Sequence, residues 1–117
     1  MNTEQRFDKR YKIGQYMPVI DNNAREILGF MSDISPGGFR LESEKALMVN
    51  KDYRICLNQI SEISDSPYIN LVARAVWIQP DKLNLNEYFE GFRIVSISQN
   101  AQEIFQRIVE IYDTPVD

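Results

Sequence analysis

From residue 15 to residue 98, apolar and polar side chains recur with a period near two, and β-branched and aromatic residues are frequent. That period belongs to strands with one face buried and one in water, so the body of the chain is expected to be mainly β. Residues 15–20, 26–33, 38–42, 52–59, 68–79 and 89–98 read as about six strands separated by turn residues. In the second, Ile27, Gly29 and Met31 alternate with Leu28, Phe30 and Ser32; in the fourth, Tyr53, Ile55 and Leu57 face away from Asp52, Arg54 and Asn58. The longest puts Ile69, Leu71, Ala73, Ala75 and Trp77 on one face and Asn70, Val72, Arg74, Val76 and Ile78 on the other, and its length suits a bent strand crossing a barrel. Gly91, inside the last strand, signals a bulge or a close backbone approach.

The period then changes. Ala101, Ile104, Phe105, Ile108, Ile111 and Tyr112 fall three and four apart, the stripe of an amphipathic helix, with Asn100 and Glu103 placed as a capping box and Pro115 beyond the end. In a chain of 117 residues the β-body is the partner at hand for that stripe. The expected architecture is a small six-stranded antiparallel β-barrel with a C-terminal α-helix: residues 1–14 form a flexible arm and residues 15–117 the folded unit.

Composition narrows the chemistry. Seventeen acidic against thirteen basic residues give a net charge of −4, which disfavours coating a nucleic acid polymer or an anionic membrane. An anionic ligand would have to be held by a local cluster. No histidine is present, so the usual general base and the commonest zinc ligand are missing, and no metal site is expected. The single cysteine, Cys56, reads as a small buried residue in a reducing compartment. No stretch approaches the roughly 20 apolar residues of a membrane span and the N-terminus is polar, so the chain is expected to be soluble and cytoplasmic.

One local cluster stands out. Within residues 6–12, Arg6, Lys9, Arg10 and Lys12 are opposed only by Asp8. An arginine presents a planar fork of donors that fits phosphate oxygens and the acceptor edge of guanine, and two arginines four apart on extended chain span roughly 13 Å. They form a clamp for one nucleotide, although a charged terminus ordinarily stays solvated and frayed. A second segment, Asp33 to Phe39, ends one strand in Asp33, Ser35, Pro36, Gly37 and Gly38. Pro-Gly-Gly is hairpin punctuation, and Asp and Ser often bond their own turn. The same turn also admits a ligand close to the backbone and offers a carboxylate to guanine N1 and N2.

Arg6 and Arg10 fit RxxxR, and Asp33, Ser35 and Gly38, about 20 residues downstream, fit [D/N]xSxxG. In this pairing, and in the segments LVARAVWIQ and FEGFRIVSIS, nearly the whole chain resembles a PilZ domain. The resemblance implies a non-catalytic bacterial receptor for the second messenger cyclic di-GMP, acting in motility, biofilm or secretion. It implies that Arg6 and Arg10 grip guanine and phosphate while Asp33, Ser35 and Gly38 contact the other side of the nucleotide, with no cofactor. A number of family members carry a third arginine just before the clamp and bind two intercalated nucleotides. Gln5 stands there, so one nucleotide per chain is expected, unless Lys9 or Lys12 substitutes.

Gly37, Arg40, Arg74 and Trp77 are further candidates near this surface, and Arg93 resembles the two strand arginines. A solvated strand face accounts equally for the arginines, and core packing beside Leu71 and Ala75 for Trp77. The leading expectation is an adaptor that orders its arm on binding cyclic di-GMP and then contacts a protein effector, as a monomer or weak dimer. The alternatives are a PilZ-like interaction module indifferent to nucleotide and a barrel binding single-stranded nucleic acid, which would want a basic groove. Glu42, Glu44, Asp52, Asp65 and Asp81 are scattered without a partner nucleophile and base, so an enzyme is not expected.

Overall fold

The structure, a computed structural model, describes residues 11–12, 17–58 and 68–111. Seven strands and one helix follow one another: β1 (Tyr11–Lys12), β2 (Pro18–Asp21), β3 (Glu26–Ser35), β4 (Gly38–Ser43), β5 (Asp52–Asn58), β6 (Tyr68–Pro80), β7 (Tyr88–Ile97) and α1 (Gln99–Ile111). All pairings are antiparallel. Two meanders, β2–β3–β4 and β5–β6–β7, are joined by β2 against β5 and by β4 against β7. The ring closes, giving the expected six-stranded barrel with its C-terminal helix, and closure removes the open edges of a sheet. β1 is an addition to this ring: it continues the line of β2 along the same edge of β3, with Tyr11 opposite Ile34 and Lys12 opposite Asp33.

The interior is filled by side chains, as in other small barrels. Phe39 and Phe92 stack at 5.3 Å across the β4–β7 seam, and Tyr53 meets Phe92 edge-on at 5.9 Å. Val19, Ile34, Leu41, Ile55, Leu57 and Ala73 are closed to solvent around them. The helix lies chiefly against β6 and buries Ala101, Ile104, Phe105, Ile108 and Val109. Ile111, expected in the stripe, is exposed, and Val109 is buried in its stead. The expected cap at Asn100 is also displaced: Ser98 Oγ accepts the Ala101 N–H at 3.1 Å, so Ser98 is the N-cap and Asn100 lies inside the first turn. No helix among the described residues is long and apolar enough to cross a membrane.

Strict alternation fails wherever a bulge interrupts the ladder. Leu28 and Met31, assigned to opposite faces by the sequence pattern, both enter the core, because β3 is bulged against β2, Leu28 being the extra residue between the Val19–Gly29 and Ile20–Ile27 pairs. Trp77 does not share the face of Leu71 and Ala75, because β6 carries one extra residue, Val76, between the Ala75–Phe92 and Trp77–Gly91 pairs. A bulge puts two residues opposite one and reverses the faces beyond it.

One carboxylate points inward. Glu90, opposite Leu41, is 1% exposed; its Oε2 accepts the Ser43 hydroxyl at 3.2 Å and the Leu47 N–H at 3.1 Å, while Oε1 has no partner. It holds the β4–β5 loop across that barrel end. Burial pushes the Glu90 carboxyl above the usual glutamate value against the pull of those two hydrogen bonds. The folded state therefore keeps this proton to higher pH than the unfolded chain does, and stability from this group falls as pH rises from the ordinary glutamate value through the raised one. Thermal midpoints of wild type and Glu90→Gln compared across about pH 4 to 8 should diverge as pH rises, the variant becoming relatively more stable. A pH-independent difference would contradict this.

Candidate functional site

Asp33 and Ser35 flank Ile34, whose side chain is fully buried. Alternation running on from the buried Met31 would turn Asp33 inward and Ile34 outward. The extra residue Ser32 reverses this, so both polar residues lie on the outer face of β3, where they are nevertheless buried, at 4% and 5% exposure. Two cross-strand rows then form, running over the β4–β7 seam. One row is Asp33, Arg40, Gly91 and Trp77; the next is Ser35, Gly38, Arg93 and Arg74. The fold thus brings together the described candidates Asp33, Ser35, Gly38, Arg40, Arg74 and Trp77, with Gly37 at the hairpin tip beside them. Gln5, Arg6, Lys9 and Arg10 lie outside the described residues. Their chain enters the barrel at β1, and the residue bonded to Arg10, Tyr11, is in register with Ile34 between the two motif side chains.

In the first row, Arg40 Nε lies 3.0 Å from Asp33 Oδ2 and donates to Ser32 Oγ at 3.2 Å, while its guanidinium carbon sits 4.9 Å from the centre of the Phe89 ring. Ion pair, bulge hydroxyl and aromatic face hold one planar cation in place on the outer wall. Beside it the Trp77 indole lies over Gly91: a Cβ there would meet Trp77 Nε1 at 2.0 Å. Trp77 is half-buried, in the same cross-strand row as Arg40. A half-exposed indole on such a face is suited to stacking against a nucleobase.

The second row is shaped by the turn. Pro36 and Gly37 form a two-residue connection, and the Gly37 carbonyl accepts the Ile94 N–H at 2.9 Å, which lays the hairpin tip against β7. Ser35 Oγ donates to the Gly38 carbonyl at 3.4 Å. A Cβ at Gly38 would meet the Phe92 carbonyl oxygen at 2.1 Å, whereas one at Gly37 would meet nothing within 4 Å. The motif therefore needs glycine at position 38 for contact between backbones. Arg93 is exposed next to Gly38, while Arg74 is bound to Asp52 through Nε at 2.7 Å and Nη2 at 3.3 Å. The hydrogen bond from Arg74 holds the Asp52 carboxyl below the usual aspartate value. Most of that guanidinium is spent on a neighbour at the far end of the row.

The face is a wall carrying three arginines and an indole, with the buried Asp33 carboxylate at its β3 edge, a surface suited to a planar anionic ligand. Among the described residues no group of three metal-ligating side chains comes together. Phe89, under Arg40, was missed by sequence reasoning because a strand phenylalanine is ordinarily core. The signal for the Trp77 seat was present in Gly91, the in-strand glycine.

No curated protein is matched by this sequence. Among solved structures, the chain is similar to the PilZ domain with c-di-GMP of YcgR from Escherichia coli, with a TM-score of 0.71 and 17% identity over 94% of this chain and 92% of that one. It is similar to the Bacillus subtilis inhibitor of motility MotI/DgrA (TM-score 0.69, 16% identity, 96% of this chain and 53% of that one). It is also similar to the K. pneumonia MrkH-c-di-GMP complex (0.68, 17%, 92% and 52%). The likeness is one of fold, and the chain spans about half the length of the last two. The family model described as PilZ domain matches residues 4–110. With nearly its whole length covered by that model and the same barrel beneath it, this chain belongs to the PilZ domain family.

Proposed function

We propose that this chain is a non-catalytic receptor for cyclic di-GMP, holding one nucleotide between its N-terminal arm and the outer wall of β3, β4, β7 and β6. The observation that carries this reading is the register of β1: Tyr11 and Lys12, which follow Arg10 in the chain, pair with Ile34 and Asp33 of the second motif. Arg6 and Arg10 would supply the bidentate contacts to guanine and phosphate, Asp33 the acceptor for guanine N1 and N2, and Ser35 with Gly38 the surface for the sugar-phosphate ring. Trp77 and Arg40 would bound the site on the side of β7 and β6. Four structural relatives support the ligand, being described as structures with c-di-GMP.

The arm is the output device. Ligand that bridges it to the wall orders it over the barrel, at an entropic cost drawn from the binding energy, and the altered surface is read by a protein effector. Relatives described as an inhibitor of motility and as a c-di-GMP-dependent transcription regulatory factor support such a relay. Isothermal titration of the full chain with cyclic di-GMP tests the reading. Saturation at micromolar nucleotide with a stoichiometry near one is expected, on the order of −8 kcal/mol of binding free energy. Absence of heat would overturn the receptor reading, and a stoichiometry of two would refute the role assigned to Gln5.

A further inference from the structure

The turns at one barrel end, away from the Ser35–Gly38 hairpin, carry apolar side chains that the fold does not cover. Ser43 and Pro80 both stand opposite Tyr88, so the β4–β5 and β6–β7 loops emerge together, and β3 reaches the same end through Ile27. Leu83 and Leu85 on the β6–β7 loop are 91% and 87% exposed, and Ile27 on β3 and Met48 and Val49 on the β4–β5 loop are exposed at the same end. Single exposed leucines mean little, but two standing out from one short loop, with further exposed apolar side chains on its neighbouring elements, mark an interaction surface.

The leucines are held out by design of the turn. Asp81 accepts the Leu83 N–H at 2.8 Å and the Asn84 side-chain amide at 3.2 Å, and its own N–H donates to the Glu87 carbonyl at 2.9 Å. Asn86 takes a left-handed conformation (φ 71°) to bring the chain back. The polar groups of the loop are thus turned in on one another, and both leucines project from a preorganised support, which lowers the ordering cost of binding. Directly beside them is a cleft of about 350 Å³ between β3 and the end of β4. Its lining includes Glu42, Glu44 and Glu87 against the single cation Lys45. Apolar knobs next to a carboxylate-lined cleft ask for a partner with the complementary pattern.

We infer that this barrel end docks a basic amphipathic segment of a partner protein, with its apolar side chains on Leu83 and Leu85 and its cations in the cleft of Glu42, Glu44 and Glu87. As the partner surface of a relay it rests on the receptor reading, but the contact itself needs no nucleotide. Its test is therefore run without any. A fluorescein-labelled synthetic helical peptide of leucine and lysine is the probe, read by anisotropy, with the same peptide carrying glutamate for lysine as control. Wild type is expected to bind the lysine peptide and not the glutamate one, and binding is expected to weaken roughly tenfold or more in Leu83→Ser/Leu85→Ser and in Glu44→Lys/Glu87→Lys. Leu83, Leu85 and Glu44 are exposed and the half-buried Glu87 makes its loop hydrogen bonds through the backbone, so both double variants should melt with wild type; titration of the serine variant with cyclic di-GMP should match wild type, which separates this inference from the nucleotide site. Equal binding of the lysine peptide by wild type and the serine variant overturns the inference. So does a concentration-dependent dimer in sedimentation that the serine variant loses, since the occupant would then be a second copy of the chain.

Discussion

Arg6→Ala and Arg10→Ala are each expected to weaken cyclic di-GMP binding by roughly 5- to 150-fold, the equivalent of about 1 to 3 kcal/mol for one bidentate arginine contact to a guanine edge. Asp33→Ala is expected to fall in the same range or below it, because it removes an acceptor and also releases Arg40, whose Nε is shared between Asp33 and Ser32. Arg74→Ala is the informative contrast. Its guanidinium lies on the same wall but is committed to Asp52 at the outer end of its row, so its loss should change affinity by less than about threefold, within the reach of screened surface charge. Titration calorimetry of the four variants separates a built site from a generally cationic face. Comparable losses in all four would indicate the general field, and unchanged affinity in Arg6→Ala, Arg10→Ala and Asp33→Ala would sink the site assignment.

The contrast between Asp33 and Arg74 could not have been drawn from sequence, and the reason is physical. Period-two alternation located every barrel strand to within a few residues, since it reflects burial of one face, and a closed barrel imposes that burial along each strand. Alternation says nothing of where a residue is inserted. The bulge at Ser32 decides that Asp33 and Ser35 face out and Ile34 in; the bulge at Val76 decides that Trp77 leaves the core face of β6 and lies on Gly91. Both are set by the register against the following strand, β4 for Ser32 and β7 for Val76, so the pattern within either strand carries no trace of them. The motif residues were legible as a set because they share one hairpin and its preceding arm. Arg40 joins them across the same hairpin, whereas Phe89 and Trp77 join only when β4 and β7 meet at the seam between the two meanders. A similar non-local cause moved the helix cap: Ser98 and Asn100 are equally good capping residues, and the choice between them is made by where β7 ends.

Gly38→Ala should be the most damaging single-methyl change in the wall, lowering stability by about 1 to 3 kcal/mol and the thermal midpoint by roughly 5 °C or more, and weakening nucleotide binding with it. The added carbon would sit 2.1 Å from the Phe92 carbonyl oxygen, a backbone atom held in the β4–β7 ladder, so it cannot be accommodated by swinging a side chain aside. β4 must instead move away from β7 at the Gly38–Arg93 pair, where Ser35 Oγ rests on the Gly38 carbonyl and the hairpin tip is fastened by the Ile94 N–H to the Gly37 carbonyl. Gly37→Ala, one residue earlier, is the matched control. Nothing lies within 4 Å of a Cβ there and its φ is not left-handed, so the substitution should leave the midpoint unchanged or raise it slightly by restricting the unfolded chain. Thermal unfolding of the two variants, followed by calorimetric titration of each at a temperature where both are folded, distinguishes the two glycines. If Gly38→Ala melts with Gly37→Ala, the close approach of β4 to β7 is not what demands glycine in the motif. A stable Gly38→Ala that still loses the nucleotide would shift the demand to the ligand itself.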